Sequence, residues 1–321
     1  MHPVENPPPV AETHQVIDAS LQQRRVERPV LQPGWVWLKA IAAGINRADL
    51  LQAAGLYPAP SGDSPYLGLE AAGVRLDTGV RVAALCPGGG YSDVVAVPAA
   101  WCLPVPEAMP FSVAAALPEA LFTWAAFGLP VVTPGARVLI IGAAGGLGHI
   151  GVQLFTALGC VVTATAGGAE KAAFVARCGA AQVVDYRAKG LLEGLQGQRF
   201  DVIFDVLGGS VSGGLLRLLD IGGTLVQLSV QQSAAADGIP VGQLLVKRLR
   251  WQGGTLRGLP HDAKDALADT VRSQLWPLVL SGKITPHIHA RFGYNQIPAA
   301  HALLNAGNVC GKLVLGDIPP D

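Results

Sequence analysis

Short aliphatic runs alternate with helical segments through the middle of the chain. The run at 137–141 predicts a strand, and the apolar segment at 149–158 predicts a helix directly after a glycine-rich turn. The alternation continues with a helix predicted at 169–178 and with further strands predicted at 161–165, 183–185, 201–206 and 223–228. Strands and helices at this spacing are typical of crossover units, so the pattern predicts a parallel sheet and the α/β class.

The segments on both sides of this region have a strand-rich pattern of their own. The runs before it predict strands at 35–39, 79–85 and 94–97 and a helical stretch at 111–127 that Pro118 interrupts. The runs after it predict helices at 262–280 and 298–305 and strands at 287–292 and 311–315.

This order predicts that one domain is inserted into another. The parallel-sheet domain is expected at 113–255, and the second domain is expected to combine 14–112 with 256–321. The first residues, 1–13, are rich in proline and are expected to form a flexible tail.

The turn after the first central strand has the composition of a phosphate-binding loop. It has the pattern Ala143-x-Gly145-x-x-Gly148, with alanine where the usual fingerprint has its first glycine. Missing side chains let a phosphate approach the backbone N–H groups, and the following helix points its positive dipole end at the same place. The turn predicts a dinucleotide site formed by Ala143, Gly145, Gly146, Leu147 and Gly148, and the alternative is a glycine-rich surface loop.

The end of the second central strand indicates which dinucleotide binds. Sites that prefer NAD usually place an acid there to hold the ribose 2′-hydroxyl. Residues 165–168 contain no carboxylate, whereas Lys171 follows closely and Tyr186 and Arg187 end the third strand. We predict NADPH, with Gly167, Lys171 and Tyr186 in its site. Alternatively, Lys171 is a solvated helix residue and Tyr186 a packing aromatic, and Glu170 counts slightly against the prediction.

The later strands end in residues that are expected to border the same ligand. Leu207 follows the fourth central strand, and Leu228 and Ser229 end the fifth. Ligands of open parallel sheets lie across the carboxyl ends of the strands, so these three residues are also predicted to contact the cofactor.

Composition narrows the remaining classes. The 321 residues are 50% hydrophobic and 14% charged, which is enough for two domains with substantial cores. Basic and acidic residues number 23 each, so no net charge favours a nucleic acid or an anionic membrane as partner. The N-terminus does not have the pattern of a signal peptide, and no other segment is expected to span a bilayer, so we expect a cytoplasmic protein.

The cysteines argue against a metal or disulfide framework. They are scattered singly at Cys86, Cys102, Cys160, Cys178 and Cys310. No pair has the C-x-x-C spacing, and no cluster has the spacing of a zinc site.

Several short motifs surround the nucleotide turn in a familiar order. They are Asn46-Arg-Ala-Asp49, Gly55-Leu-Tyr57-Pro58, Leu67-Gly-Leu-Glu70-Ala-Ala-Gly73, Pro87-Gly-Gly-Gly-Tyr91, Leu117-Pro-Glu-Ala120 with Thr123, and Val309-Cys-Gly-Lys-Leu-Val314. Together they resemble the zinc-free quinone oxidoreductase branch of the medium-chain dehydrogenase/reductase superfamily, from about 32 to 315.

The resemblance implies a GroES-like, β-rich catalytic domain built from both ends of the chain and a central Rossmann domain, with nicotinamide and substrate between them. It also implies a homodimer or a tetramer. Zinc-dependent relatives carry a cysteine near the place of Asn46 and a histidine at the place of Leu69. Neither Asn46 nor Leu69 is a usual zinc ligand, so the resemblance implies a zinc-independent enzyme.

The resemblance also assigns roles within the cleft. Asn46 and Tyr57 are expected to polarise a substrate carbonyl by hydrogen bonds, and Thr123 is expected to contact the nicotinamide carboxamide. Leu256 would lie under the nicotinamide, and Asn308 and Lys312 would approach the cofactor. Without the resemblance, these catalytic candidates would be interpreted as a turn or cap residue, a half-buried aromatic and an ordinary helix threonine.

The chain departs from the family pattern in the catalytic domain. The stretch 70–79 is roughly ten residues shorter than in relatives, and 14–28 is expected to lack the usual opening strand with its glycine-rich turn. The catalytic domain is therefore predicted to be abridged.

These features predict an NADPH-dependent reductase that delivers hydride to a quinone or another conjugated carbonyl. One alternative is a double-bond reductase that acts on enoyl thioesters or alkenals in a biosynthetic pathway. The alternative outside enzymes is an NADPH-binding sensor or structural protein, which would bind the nucleotide without turnover.

Overall fold

Three β-sheets form the framework of residues 12–316, the part of the chain that the computed structural model describes. The strands, in chain order, are β1 (Thr13–Ile17), β2 (Gln23–Glu27), β3 (Trp35–Ile45), β4 (Glu70–Arg75), β5 (Arg81–Leu85), β6 (Val94–Pro98), β7 (Cys102–Pro104), β8 (Arg137–Ile140), β9 (Val161–Ala166), β10 (Gln182–Asp185), β11 (Phe200–Asp205), β12 (Leu219–Gln227), β13 (Arg250–Gly253), β14 (Ile288–Phe292) and β15 (Lys312–Gly316).

The helices connect and cover these sheets. They are α1 (Arg47–Ala53), α2 (Phe111–Ala114), α3 (Pro118–Phe127), α4 (Gly146–Ala157), α5 (Ala169–Arg177), α6 (Tyr186–Lys189), α7 (Leu191–Gly194), α8 (Ser212–Leu218), α9 (Val241–Val246), α10 (His261–Thr270), α11 (Trp276–Leu280) and α12 (Ile297–Asn305). A π-helical turn, Val271–Leu275, joins α10 to α11, so the helical stretch predicted at 262–280 is continuous.

The parallel sheet contains six strands in the order β10-β9-β8-β11-β12-β13. Successive strands are added in one direction from β8 to β10 and in the opposite direction from β11 to β13. A crevice forms between β8 and β11, at the carboxyl ends of the strands, where this order reverses. The central strand β8 is mostly buried because Val138, Leu139 and Ile140 are all aliphatic. The glycine turn after β8 therefore lies at the crevice.

The seven-stranded sheet combines both ends of the described chain. Its order is β14-β15-β3-β4-β5-β7, and β6 pairs with the other part of the long strand β3. The late strand β15 runs antiparallel to β3, with Leu313 opposite Ile45. This pairing brings residues that follow the parallel sheet in sequence next to residues that precede it.

The segment at 14–28 forms a hairpin, so the prediction that no opening strand exists here was wrong. Strands β1 and β2 pair antiparallel, and the turn between them contains no glycine. Leu21 takes the left-handed conformation instead, with φ of 60°, and the Asp18 carboxylate accepts hydrogen bonds from the backbone N–H groups of Ser20 and Gln22. Thr13 belongs to β1 and not to the flexible tail predicted at 1–13; the rest of that prediction, at residues 1–11, lies outside the described residues.

The shortened stretch near 70–79 is a tight hairpin. Strands β4 and β5 pair antiparallel, and residues 76–80 connect them. Arg75 and Asp77 form an ion pair with a 2.6 Å contact within this turn. The hairpin therefore closes without the longer insertion expected of relatives.

A long apolar helical stretch lies in the core of the protein. By length and composition alone, Phe111–Val131 could cross a membrane, contrary to the expectation that no segment could. However, 72% of its most apolar window is buried within the protein. Trp124 packs edge-on against Phe155 and Phe204, and its indole N–H donates to the carbonyl of Leu147 in the glycine turn. This stretch thus packs against α4 through Trp124.

Candidate active site

A cleft of about 770 Å³ brings together the residues predicted from distant parts of the sequence. It is bordered by the turn after β8, by the ends of β9, β11 and β12, and by residues around α1, α3 and β15. The predicted site residues that line it are Asn46, Tyr57, Thr123, Gly145, Gly146, Leu147, Gly148, Gly167, Lys171, Tyr186, Leu207, Leu228, Ser229, Leu256 and Lys312.

The glycine turn has room for a ligand at one glycine and tight packing at another. A Cβ on Gly145 would be 3.5 Å from its nearest neighbour, the carbonyl oxygen of Gly142, whereas a Cβ on Gly148 would be 2.6 Å from the Cα of Ala143. Ala143 itself is fully buried and does not line the cleft, so its predicted contact with the cofactor is not found. The absence of a side chain at Gly148 instead lets helix α4 pack against the backbone of Ala143.

A buried histidine, for which the motifs predicted no role, holds this turn in place. The Nδ1 of His149 lies 2.9 Å from the carbonyl oxygen of Gly145, and its Nε2 accepts a hydrogen bond from the backbone N–H of His287. Burial lowers the pKa of His149 to about 4, so the ring is neutral and can donate on one side while it accepts on the other. The contact ties the turn to the segment that leads into β14.

A smaller pocket of about 220 Å³ adjoins the cleft beyond β9. Lys171 and Arg187 line it together with one acid, Glu170, and with Asn308, which does not line the main cleft. The Lys171 ammonium donates to the carbonyl of Gly307, and the Asp185 carboxylate is occupied by the backbone N–H groups of Gly168 and Arg187. Two cations, one carboxylate and an amide therefore surround a space next to Gly167, and the cations outnumber the acid.

The inner end of the cleft rests on a buried ion pair. The Lys312 ammonium lies 2.6 Å from a carboxylate oxygen of Glu70, and these two side chains are 2% and 0% exposed. The other Glu70 oxygen accepts from the backbone N–H of Glu119, so its partners include a side chain as well as backbone. Burial alone would lower the pKa of Lys312, but the nearby charges of Glu70 and Glu119 raise it above its usual value.

Asn46 is part of this network. Its Nδ2 donates to Glu70 at 2.9 Å, and its Oδ1 accepts from the Lys312 ammonium. Asn46 is 6% exposed. Because one of its two amide hydrogens is already donated to Glu70, only the other is left for a substrate. Its backbone N–H donates to Asp49 at the start of α1, and burial raises the pKa of Asp49 to about 6.

Tyr57 lines the cleft near Arg257. It is half-buried, and Thr255 lines the cleft as well. Burial raises its pKa, so the phenol keeps its proton at neutral pH. Tyr57 is therefore equipped to donate a hydrogen bond into the cleft.

Sequence reasoning gave no role to several ionisable residues that line the cleft, among them Glu119, Arg257 and Lys264. Glu119 belongs to one of the family motifs, but the motif gave it no role. Burial raises its pKa to about 7, and its carboxylate lies 3.5 Å from the Thr123 hydroxyl. Neither cation could have been found by spacing, because each becomes buried through contacts with residues far away in the chain.

The described residues offer no metal cage. Between 12 and 316, no group of three or more His, Cys, Asp or Glu side chains is placed to hold a metal ion. Leu69 is 5% exposed and lines the cleft, as does Asn46.

A phosphate-binding turn that shares one cleft with proton-holding side chains is typical of a dinucleotide-dependent oxidoreductase.

Comparison with known proteins agrees with this class. A family model described as zinc-binding dehydrogenase matches residues 178–315. A probable quinone oxidoreductase of Schizosaccharomyces pombe is 31% identical over 311 residues, which cover 92% of each chain. The quinone oxidoreductase of Thermus thermophilus, whose structures include a complex with NADPH, is 30% identical with a TM-score of 0.79 and covers 95% of this chain and 100% of its own.

A second solved structure gives the same result. The Escherichia coli quinone oxidoreductase, in complex with NADPH, is 28% identical with a TM-score of 0.80, covering 96% of this chain and 100% of its own. The chain belongs to the quinone oxidoreductase family of the medium-chain dehydrogenase/reductase superfamily. The predicted resemblance, α/β fold, oxidoreductase class and NADPH cofactor are thereby confirmed.

Proposed function

We propose that this protein is a zinc-independent, NADPH-dependent oxidoreductase that transfers hydride to a quinone or another conjugated carbonyl. The observation that carries the proposal is the single cleft in which the glycine turn, Thr123, Glu119 and Tyr57 come together. The named relatives are quinone oxidoreductases, and two of them were crystallised with NADPH.

The chain's own residues fit NADPH. The open space above Gly145 lets a pyrophosphate approach the N-terminus of α4, a helix of twelve residues. Lys171 and Arg187, with Asn308, provide the charge and hydrogen bonds that a ribose 2′-phosphate requires. When bound, NADPH supplies the hydride from its nicotinamide ring.

The protein's part in the chemistry is orientation and proton delivery. Tyr57 donates a hydrogen bond, and then its proton, to the carbonyl oxygen, and its raised pKa keeps that proton available at neutral pH. Thr123 orients the nicotinamide carboxamide. Asn46 acts mainly as a positioning residue, because Glu70 and Lys312 already occupy its amide.

The same network supports zinc independence. Lys312 places a positive charge in contact with Glu70 and Asn46, where zinc-dependent relatives hold their metal. A divalent cation at this place would be repelled by the buried ammonium. Turnover should therefore be unchanged by a zinc chelator.

The proposed function predicts NADPH oxidation with 1,4-naphthoquinone, measured by the loss of absorbance of the reduced cofactor. Parallel assays with enoyl thioesters and 2-alkenals will show which class of acceptor the enzyme reduces fastest.

Tyr57→Phe should lower kcat about tenfold, because one hydrogen bond to the developing oxyanion is lost while water can still supply the proton. Tyr66→Phe is the matched control, since Tyr66 is not a lining residue of the cleft. NADPH binding without turnover of any acceptor would contradict the proposal.

The small pocket predicts the cofactor preference. Lys171→Ala and Arg187→Ala should each raise the Kd of NADPH roughly tenfold and leave that of NADH unchanged, because only NADPH carries the 2′-phosphate. Lys189→Ala, at a nearby exposed lysine, is the control. Binding can be measured by titrations of protein fluorescence. An equal loss of affinity for NADPH and NADH would show that these side chains do not bind the 2′-phosphate.

We also propose a homodimer formed through the free edge of the parallel sheet. All four residues of the edge strand β13 are exposed, and the neighbouring helix α9 exposes Leu245 and Val246 by 79% and 77%. An unpaired strand edge flanked by exposed apolar side chains is suited to pairing with a second copy.

This proposal predicts a particle of twice the 33.1 kDa chain mass in sedimentation velocity. Leu245→Glu should shift it to the monomer because a charge would be buried at the interface. Leu280→Glu, at an exposed leucine of α11, should leave the dimer intact. A wild-type monomer at micromolar concentration would contradict this assignment.

A further inference from the structure

Arg257 has a buried guanidinium with unused hydrogen-bonding capacity. The residue is 6% exposed and lines the cleft close to Tyr57, with its Cζ 5.6 Å from the phenol ring centroid. One nitrogen, Nη1, donates to Gln52 and to the carbonyl of Tyr57 at 2.8 and 3.3 Å. Nε and Nη2 are buried and have no hydrogen-bond partner among the described residues.

Lys264 places a second buried cation in the same wall of the cleft. It is 2% exposed, and its ammonium donates to the carbonyl of Arg257 at 3.0 Å. The ammonium also lies 5.3 Å from the ring centroid of Trp101, which is fully buried. An ammonium has three N–H donors, so two of them are left over.

No carboxylate of the described chain contacts either cation. Asp63 is the acid whose charge acts on both cations, and its carboxylate is engaged by His261 at 2.9 Å. Asp49, whose charge acts on Arg257 as well, accepts hydrogen bonds from the Asn46 backbone and the Tyr91 hydroxyl. Burial lowers the pKa of both Lys264 and Arg257. Buried charges without a contacting counter-ion are costly to keep, and a guanidinium cannot lose its proton to avoid the cost. A plain quinone would leave both charges unmatched.

We infer that Arg257 and Lys264 form a subsite for an anionic group of the substrate, and that the preferred acceptor is a conjugated carbonyl compound that carries a carboxylate. The inference rests on the proposed function and names its substrate class. A guanidinium matches the fork geometry of a carboxylate, and the ammonium adds a second contact. The carboxylate would be held beside Tyr57, next to the carbonyl that this residue polarises.

A matched pair of acceptors tests the subsite. 3-Benzoylacrylate and its methyl ester share the same enone and differ in the negative charge. The wild type should reduce the acid with a kcat/KM about 10- to 100-fold higher than that of the ester. Arg257→Gln and Lys264→Met should each remove most of this preference by lowering kcat/KM for the acid alone. Arg257→Lys and Lys264→Arg, which keep the charge, should retain part of it.

Binding provides a readout that does not depend on turnover. Calorimetry with the NADP⁺-loaded protein should show that the saturated product 4-oxo-4-phenylbutanoate binds at least about tenfold tighter than its methyl ester. Equal affinities in the wild type would overturn the inference even if every variant were unstable. Variants that keep the full preference for the acid would overturn the assignment to Arg257 and Lys264.

The outcomes separate this inference from the proposed function. Turnover of 1,4-naphthoquinone without a preference for the acid would sink the anionic subsite and leave the reductase intact. Tight binding of the acid without turnover of either the enone or the naphthoquinone would sink the reductase and support the subsite.

Discussion

Replacing Lys312 with methionine is expected to lower the free energy of unfolding by about 3–5 kcal/mol. The substitution removes the ammonium that contacts Glu70 and Asn46 and leaves the Glu70 carboxylate, which is fully buried, without its counter-ion. The long methionine side chain still fills the space under Gly146, where the lysine stem lies. The loss of stability therefore reflects the missing charge and not a packing defect. Urea unfolding at pH 7 measures the change in the free energy of unfolding.

Two variants show whether the ion pair is the cause. The double variant Glu70→Gln/Lys312→Met should be clearly more stable than the sum of its single changes predicts, because neither charge is left alone. Lys283→Met, at an exposed lysine, should change stability by about 0.5 kcal/mol or less. Additive losses in the double variant would mean that the two groups do not interact.

Alanine at two glycines of the nucleotide turn is expected to weaken NADPH binding roughly 10- to 100-fold for two different reasons. Gly145→Ala fits the protein, since its Cβ would be 3.5 Å from the nearest atom, but it occupies the space where the pyrophosphate approaches. Gly148→Ala forces helix α4 away from the Cα of Ala143, which would be 2.6 Å from the new Cβ.

Thermal unfolding separates the two mechanisms. Gly145→Ala should keep the Tm of the free protein, whereas Gly148→Ala should lower the unfolding free energy by about 1–3 kcal/mol. Gly242→Ala is the control, because a Cβ there meets no atom within 4 Å and Gly242 lies far along the chain from the turn. If Gly145→Ala bound NADPH as tightly as the wild type, the pyrophosphate would not lie at this glycine.

The parallel sheet could be predicted because its signals are local. Val138, Leu139 and Ile140 are aliphatic, and the turn after them is rich in glycine, so strand, turn and helix could each be recognised within a few residues. Strands β2 and β13 have no such signal: their residues are largely exposed and polar, and pairing with a neighbouring strand defines them. This explains why β2 of the opening hairpin was missed, whereas its partner β1 is mostly buried.

The site could be predicted as a set of residues but not as a network. The family motifs pointed to Asn46 and Lys312, yet nothing near either residue shows that they contact each other across more than 260 positions. The same holds for Lys264 and Arg257, since lysine and arginine are ordinarily exposed and only the folded chain shows which of them are buried. A motif identifies a side chain, and long-range contacts decide how many of its hydrogen bonds remain free.

The pairing of β15 with β3 sets an order of events during synthesis on the ribosome. The strands of the parallel sheet end at Gly253, so the nucleotide-binding sheet can form while the rest of the chain is still being made. Glu70 and Asn46 emerge earlier still, but their cation at Lys312 is added about 240 residues after Glu70. Until then the Glu70 carboxylate has no counter-ion and its burial is unfavourable, so the inner wall of the cleft closes only when this late strand docks.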